Sequence, residues 1–270
     1  MATTSEAFAP AKVNLTLHVT GQRADGYHLL DSLVVFADVG DRVALTPGRA
    51  VSVDVTGPFA QGVPVDARNL AWRAAELAGW VGEIALEKNL PHGGGIGGGS
   101  SDAAAVLNAL GADVDALRLG ADVPVCRVGR AARMQGIGES VTPIADTPVF
   151  YAVLVNPGLH VATPEVFAQL RHKQNAPMSA LPHRAAGMRA WLDWLRAQRN
   201  DLQAAAVSLA PGIGRVLRGL EATPGVLLTR MSGSGSTCFG LYPTRSAAQL
   251  AASAISAERP DWWCVPVTLS

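Results

Sequence analysis

Alternating apolar and polar positions predict strands in the first part of the chain. The segment VNLTLHV (13–19) alternates strictly, as expected for a strand with one buried face. Strands are also predicted at 29–39, 42–47 and 51–57, where apolar side chains recur at short intervals. The intervening GQRADGYH (21–28) is predicted to reverse the chain, because its glycines adopt positive φ at low steric cost. The beginning of the chain is therefore predicted to be mainly sheet.

Further along, helical and strand patterns are mixed. Apolar residues three to four positions apart predict helices, and short continuous apolar runs predict strands. The helices are predicted at 69–77, from about Ser101 onward, and at 188–198, 209–222 and 246–257, and the strands at 84–89, 149–155, 225–233 and 264–270. This order is not a strict alternation of strand and helix, so the predicted fold class is α+β. The strand at 149–155 is predicted to open a second domain, which divides the chain into 1–148 and 149–270.

The composition is that of a globular chain without net charge. Of 270 residues, 49% are hydrophobic, and 22 Lys and Arg balance 22 Asp and Glu. This balance argues against nucleic acid or a membrane surface as a partner, so partners must be recognised locally. The N-terminal residues show no basic start followed by an apolar run, and no uncharged stretch reaches the length of a membrane span. Three cysteines without a CxxC pair predict free thiols, and the expected location is cytoplasmic.

Six glycines fall within residues 93–99, and an alanine-rich helix is predicted to follow them directly. A flexible linker is a poor explanation, because Ser101 or Asp102 is available to cap that helix and ordered glycine is costly. The glycines also satisfy the GxGxxG spacing of dinucleotide sites. However, a charged segment precedes them, and the acidic residues at a suitable distance after them lie in a turn-like segment. A dinucleotide site is therefore disfavoured.

A phosphate-binding loop explains these glycines best. The N-terminus of a helix carries unsatisfied N–H groups and a partial positive charge, and glycines let these groups approach a triphosphate closely. Ser100 and Ser101 add hydroxyl groups, and Asp102 is interpreted as a first-turn acid that the helix dipole stabilises. The chain lacks GxxxxGK[ST], because serines stand where the lysine would be. The cation must therefore come from another residue or from the magnesium that accompanies ATP.

Three motifs in the same order resemble those of the GHMP kinase superfamily, which includes galactokinase, homoserine kinase, mevalonate kinase and phosphomevalonate kinase. They are APAKVNLTLHV (9–19), the glycine loop with its helix (91–105) and MSGSGSTCFGLY (231–242). RADGYH (23–28), together with LGADVPV, GIGE and RNDL further along, is similar to the branch that acts on 4-diphosphocytidyl-2-C-methyl-D-erythritol. The resemblance covers roughly residues 8–242.

This resemblance implies a two-domain GHMP kinase fold and phosphorylation, by ATP with Mg²⁺, of the 2-hydroxyl of that cytidine-diphosphate-linked polyol. It implies nucleotide contacts from the loop residues Pro91, Gly93, Gly94, Gly95, Ile96, Gly97, Gly98, Gly99, Ser100 and Ser101. The alternatives are a GHMP kinase of the mevalonate or homoserine type and a non-catalytic nucleotide-binding sensor. A monomer or weak homodimer is expected, and the magnesium ligands are not assigned.

The same resemblance assigns the transfer apparatus to Lys12 and Asp122. Lys12 is expected to neutralise the transferring phosphoryl group, and Asp122 to receive the hydroxyl proton or to orient Lys12. Without the motifs, Lys12 would be a solvated lysine at a strand end and Asp122 an Asx-turn before Pro124. The presence of both residues disfavours the sensor, which needs no transfer apparatus.

Substrate contacts are assigned to Asn14, Tyr27, His28, Phe167, Ser234 and Gly235. Asn14 shares a strand face with Lys12, unless simple alternation turns it to solvent. Tyr27 is expected to stack on the cytosine, His28 to bond its edge, and Phe167 to cover the opposite face or to belong to the core. Ser234 and Gly235 offer backbone donors near the phosphates or the substrate, or form an ordinary turn.

Overall fold

The computed structural model of the protein describes residues 4–145 and 147–270. The strands are β1 (Ser5–Asn14), β2 (His18–Gln22), β3 (His28–Pro47), β4 (Ser52–Thr56), β5 (Gly82–Glu87), β6 (Ala132–Gly136), β7 (Ser140–Pro143), β8 (Phe150–Asn156), β9 (Leu228–Met231), β10 (Cys238–Tyr242) and β11 (Trp263–Leu269). The α-helices are α1 (Leu70–Leu77), α2 (Gly98–Ala109), α3 (Val123–Val128), α4 (Thr163–Ala168), α5 (Gly187–Ala197), α6 (Gln203–Leu209), α7 (Pro211–Glu221) and α8 (Arg245–Glu258). Single 3-10 turns lie at Ala116–Leu119 and Arg184–Ala186. The mixture of helices and strands confirms the α+β class.

Two compact units are interleaved along the chain. The first contains residues 4–12, 39–92 and 97–129, and the second contains the remaining described residues. The segment 93–96 of the glycine loop therefore packs within the second unit, whereas residues 97–99 belong to the first. The sequence boundary between residues 148 and 149 stays a prediction.

The first unit contains a small sheet, and it packs α2 against two other helices. Residues 42–47 of β3 pair antiparallel with β5, and β4 pairs with β5 in parallel. Side chains of β5 alternate between buried and exposed, as the period of a half-buried strand requires. On α1, Asn69 accepts the N–H of Ala71 at 2.9 Å, which caps the helix and fixes where it begins. Helices α1 and α3 both pack against α2, so its N-terminus has a fixed place in this unit.

The second unit is built around β11. This strand pairs antiparallel with β8 along its whole length and reaches β3 through Leu269 and Ala37. Strand β10 joins β8 to β9, and residues of β3 from 28 to 34 pair with β2 and β6. Helices α4, α6, α7 and α8 contribute apolar side chains to one buried cluster with β8 and β10. This core holds the turn at 232–237 in place.

Most predicted elements are present, with informative differences at their ends. The strand predicted at 13–19 is interrupted after Asn14, and the strands predicted at 29–39 and 42–47 are one continuous strand. Helix α2 begins at Gly98, three positions before Ser101. The sequence patterns did not predict α3, α4, α6, β6, β7 and β10. In the described part of the chain, no helix is long and apolar enough to cross a membrane.

Candidate active site

Helix α2 begins without a side-chain cap from its N-cap residue. The residue before the helix is Gly97, with φ of 67°, and no side chain of the described residues caps the helix. The expected cap from Ser101 or Asp102 is therefore wrong, because the helix has already begun when these residues are reached. The first N–H groups of a helix have no intrahelical partner. Here they are left available to an anion.

Lys12 and Asp122 form an ion pair in the first unit. Lys12 Nζ donates to Asp122 Oδ2 at 2.9 Å, and the side chains are 3% and 34% exposed. Lys12 is thus not a solvated strand-end lysine. Asp122 occupies the position before α3, but its side chain makes no capping hydrogen bond, so it is not held in an Asx-turn.

This ion pair lies beside the start of α2. A Cβ atom added to Gly97 would lie 3.2 Å from both Cβ and Cε of Lys12, and 3.8 Å from the sulfur of Cys126. The Ser101 hydroxyl donates to the Pro10 carbonyl at 2.6 Å, which ties the helix to β1 two residues before Lys12. Burial raises the pKa of the Cys126 thiol to about 12, so this side chain beside Gly97 is uncharged at neutral pH. The geometry joins a buried cation, a part-exposed carboxylate and an uncapped helix N-terminus.

In the second unit, the first half of the glycine loop contacts the third motif. The Gly94 carbonyl accepts the N–H of Thr237 at 3.0 Å, and the Gly95 carbonyl accepts the Ser232 hydroxyl at 3.0 Å. Gly95 has φ of 71°, and a Cβ atom there would collide with the backbone of Ser232. The close approach therefore requires glycine. The sequence reasoning did not single out Ser232, although it stands in a quoted motif.

Asn14 is also tied to this turn. Its backbone N–H donates to Ser232 Oγ at 3.0 Å, and its side-chain amide donates to Ser32 Oγ at 2.7 Å. Asn14 is fully buried, so the alternative of a solvent-facing strand residue is wrong. Asn200, from the quoted RNDL segment, supports the turn by donating to the carbonyls of Met231 and Gly233. The first and third motifs thus meet within the second unit.

The remaining predicted loop and turn residues differ in exposure. Ser234 Oγ lies 2.8 Å from Thr163 Oγ1, and Gly235 has φ of 87°. In the loop, the buried residues are Pro91, Gly94 and Ile96, the half-buried ones Gly95, Gly97, Gly98 and Ser100, and the exposed ones Gly93 and Gly99. Ser101 is buried through its bond to Pro10. The loop therefore presents backbone more than side chains to its surroundings.

The aromatic residues assigned to the cytidine show an unexpected pairing. Phe167 stacks on His28, with ring centroids 4.6 Å apart and an interplanar angle of 20°. Tyr27 is 60% exposed in the turn at residues 23–27. Burial, with a contribution from the positive charge of Lys173, lowers the pKa of His28 below its usual value. His28 Nε2 is buried without a hydrogen-bond partner among the described residues, which leaves a polar atom for a ligand.

Among the described residues, no group of three His, Cys, Asp or Glu side chains could hold a metal ion. Mg²⁺ commonly keeps several waters and binds through phosphate oxygens with one or two carboxylates. An ion that enters with a nucleotide would not need such a group of side chains.

Comparisons with known proteins identify the family of the chain. Residues 69–151 match the GHMP kinases N terminal domain, and residues 180–261 match the GHMP kinases C terminal family. The chain is 55% identical to 4-diphosphocytidyl-2-C-methyl-D-erythritol kinase of Dinoroseobacter shibae, over 97% of this chain and 94% of that protein.

Two solved structures extend the comparison. A crystal structure of 4-(cytidine 5'-diphospho)-2C-methyl-D-erythritol kinase matches with a TM-score of 0.77 and 38% identity, covering 98% of this chain and 99% of that one. The homoserine kinase from Cytophaga hutchinsonii matches with a TM-score of 0.67 and 19% identity, covering 99% and 94%, which shows a shared fold alone. Together with the family matches and the 55% identical relative, these findings show that the chain belongs to the GHMP kinases.

Proposed function

We propose that the chain transfers the γ-phosphoryl group of ATP to the 2-hydroxyl of 4-diphosphocytidyl-2-C-methyl-D-erythritol. As a GHMP kinase it is an ATP-dependent small-molecule kinase, and its relatives of nearly full coverage carry the name of this activity. The observation that carries the chemistry is the Lys12–Asp122 ion pair beside the uncapped N-terminus of α2. A nucleotide-binding sensor would have no use for this pair.

The phosphates of ATP are proposed to bind at the first turn of α2. Free N–H groups and the partial positive charge of the helix favour an anion there. Gly97 supports this assignment because any side chain at that position would press on Lys12. The backbone can then approach the phosphates while the lysine keeps its place.

Phosphoryl transfer requires in-line positioning and neutralisation of charge more than strong proton abstraction. Lys12 supplies the positive charge for the oxygens of the transferring group. Asp122 orients Lys12 through the 2.9 Å hydrogen bond and receives the proton of the attacking hydroxyl. The new O–P bond forms as the bond from the γ-phosphorus to the β,γ-bridging oxygen breaks, and ADP leaves with that oxygen. Mg²⁺, entering with the nucleotide, neutralises further phosphate charge when bound.

For the cytidine end, the proposed contacts are those predicted from the sequence, except that Phe167 is assigned to the His28 ring and not to the base. The neutral His28 ring offers its buried Nε2 to an edge of the base, and Phe167 supports the His28 ring by stacking. Tyr27, exposed in its turn, is available to stack on the base. Asn14, Ser234 and Gly235 remain proposed substrate contacts. Asn14 also donates hydrogen bonds to the hydroxyl groups of Ser32 and Ser232.

The decisive experiment measures ADP release with the cytidylyl substrate, mevalonate and homoserine as separate acceptors. Turnover with the cytidylyl substrate alone is expected, and phosphorus NMR of the product should place the phosphate on the 2-hydroxyl. Preferred turnover of mevalonate or homoserine would replace the proposed substrate. Tight ATP binding without turnover of any acceptor would instead indicate a sensor.

A further inference from the structure

Three charged side chains are buried together behind the first turns of α2. Lys88 Nζ donates to Asp102 Oδ2 at 2.6 Å and also to Asp41 Oδ2. The side chains of Lys88, Asp41 and Asp102 are 5%, 0% and 3% exposed. Charges removed from water to this degree are unfavourable unless each is paired. The prediction of Asp102 as a first-turn acid is therefore wrong, because α2 begins at Gly98 and Asp102 lies buried beyond its first turn.

This buried cluster connects the segment before the glycine loop to the helix after it. Asp41 Oδ1 accepts the backbone N–H groups of Asn89 at 2.5 Å and Leu90 at 2.9 Å. A Cβ atom added to Gly98 would lie 3.5 Å from Lys88 Nζ and 3.6 Å from Asp41 Oδ2. The ammonium therefore sits directly against the first residue of α2.

The cluster holds the ammonium of Lys88 and the carboxyl groups of Asp41 and Asp102. Its net charge is therefore −1 when both carboxyl groups are ionised and zero when one of them is protonated. Asp102 Oδ1 is buried and has no hydrogen-bond partner among the described residues. Burial raises the pKa of Asp102 to about 7, Lys88 opposes this shift, and the charge of Asp41 adds to it. Burial lowers the pKa of Lys88, but the two carboxylates outweigh it and the net shift is upward. Near neutral pH the cluster is either neutral, with Asp102 protonated, or carries one negative charge.

Among the described residues, the other ionisable groups around α2 are neutral, paired, exposed or placed at its far end. Arg127 of α3 is at that far end, where it donates to Asn108 and to the carbonyls of Ala112 and Val114. From α3, Cys126 has its pKa raised to about 12 by burial and stays neutral. Lys12 of β1 is paired with Asp122, which precedes α3. The charged residues of α1 and of the 3-10 turn that packs on α2 are exposed; they are Arg73, Glu76 and Arg118. Asp102 is thus the group whose proton sets the local charge.

We propose that Lys88 and Asp102 are positioning residues for the nucleotide phosphates, a role that rests on the phosphate site proposed above. Lys88 fixes the first turn of α2 against residues 89–90, and a proton on Asp102 keeps the cluster neutral behind the bound phosphates. A net negative cluster at this place repels the anion that the helix N-terminus attracts. Nucleotide binding therefore favours the protonated form and takes up a proton from solvent.

The test is ADP binding by calorimetry from about pH 6 to about pH 8.5, for the wild type and Asp102→Asn. Asparagine is neutral at every pH and retains an oxygen that accepts from Lys88. The ratio of the two dissociation constants cancels the titration of ADP itself. The wild type is expected to weaken relative to Asp102→Asn by on the order of tenfold across this range. Asp31→Asn, which removes a buried carboxylate paired with Arg133 in the second unit, should keep the wild-type profile.

Proton uptake gives a second readout, compared between the two proteins because ADP itself titrates. At about pH 7.5, binding enthalpies in buffers of different ionisation enthalpy should show that the wild type takes up a fraction of a proton more than Asp102→Asn. Equal proton uptake by the two proteins, or parallel pH profiles for the wild type and Asp102→Asn, would overturn this proposal alone. A wild type that binds no nucleotide at any pH would overturn both this proposal and the proposed function.

Discussion

Replacement of Asp122 by asparagine tests the proposed transfer apparatus most directly. The substitution removes the carboxylate that accepts from Lys12 at 2.9 Å but keeps the shape of the side chain and one hydrogen-bond acceptor. The buried ammonium then loses the negative charge of this carboxylate while the helix N-terminus is unaltered. Binding and chemistry should therefore separate.

The size of the stability change follows from the geometry of the pair. Two unit charges 2.9 Å apart attract by about 1.4 kcal/mol at the dielectric constant of water and about 5.7 kcal/mol at an effective value of about 20. Asp122 is 34% exposed, which places the pair nearer the lower figure. We expect a loss of about 1–2 kcal/mol, or a Tm lower by roughly 2–6 °C for a chain of this size.

The loss of kcat should be much larger than the modest loss of folding free energy would explain. A positioned proton acceptor contributes about 10²- to 10⁴-fold, so kcat with the cytidylyl substrate should fall within that range. Titration calorimetry should show near-normal ATP binding, and thermal unfolding should verify the fold. Asp66→Asn, which breaks the exposed ion pair with Arg68 in the same unit, is the matched control and should leave kcat and Tm unchanged. A folded Asp122→Asn enzyme with kcat reduced less than about tenfold would remove Asp122 from the mechanism.

Three further substitutions test the loop, the cytidine turn and the core. Gly97→Ala should weaken ATP binding, because a methyl group there lies 3.2 Å from Lys12. Gly111→Ala is the control and should lower only Tm, because Gly111 also has a positive φ but has open space around it. Equal ATP affinities of the two variants would contradict this reasoning. Tyr27→Ala should raise KM for the cytidylyl substrate by about fivefold or more and leave KM for ATP nearly constant, and a parallel rise in both would show that the turn does not contact the base. Arg230→Met leaves three backbone carbonyls without their buried donor and should cost about 3 kcal/mol or more in urea unfolding; a loss below about 1 kcal/mol would mean that water replaces the guanidinium.

Local sequence signals were sufficient where one element carries the information. The glycine run indicated an unusual helix start. The order of the three motifs indicated the family, and the comparisons confirm the family. The start of α2 was misplaced because glycine has low helix propensity, and packing against α1 and α3 overrides that preference. The cytoplasmic location and the monomer or weak homodimer stay predictions.

The rest depended on residues that only the fold brings together. Lys88 belongs to the charged segment before the glycine loop, and Asp41 stands between two predicted strands that are in fact continuous. Nothing in their spacing indicates that both reach Asp102. Likewise, Phe167 stacks on His28 across a long separation in sequence, so the partner of each ring could not be derived from local periodicity.

The central place of β11 has a consequence for the order in which the protein becomes functional. Residues 263–269 complete the pairing of β8 and reach β3, yet they are synthesised about a hundred residues or more after both of these strands. Gly94 and Gly95 must also wait for Thr237 and Ser232 before their carbonyls are bound. A nascent chain that has already exposed its whole glycine loop should therefore bind no nucleotide. Contacts of such long sequence separation form slowly, so the nascent chain depends on protection from aggregation until residues 263–269 have emerged.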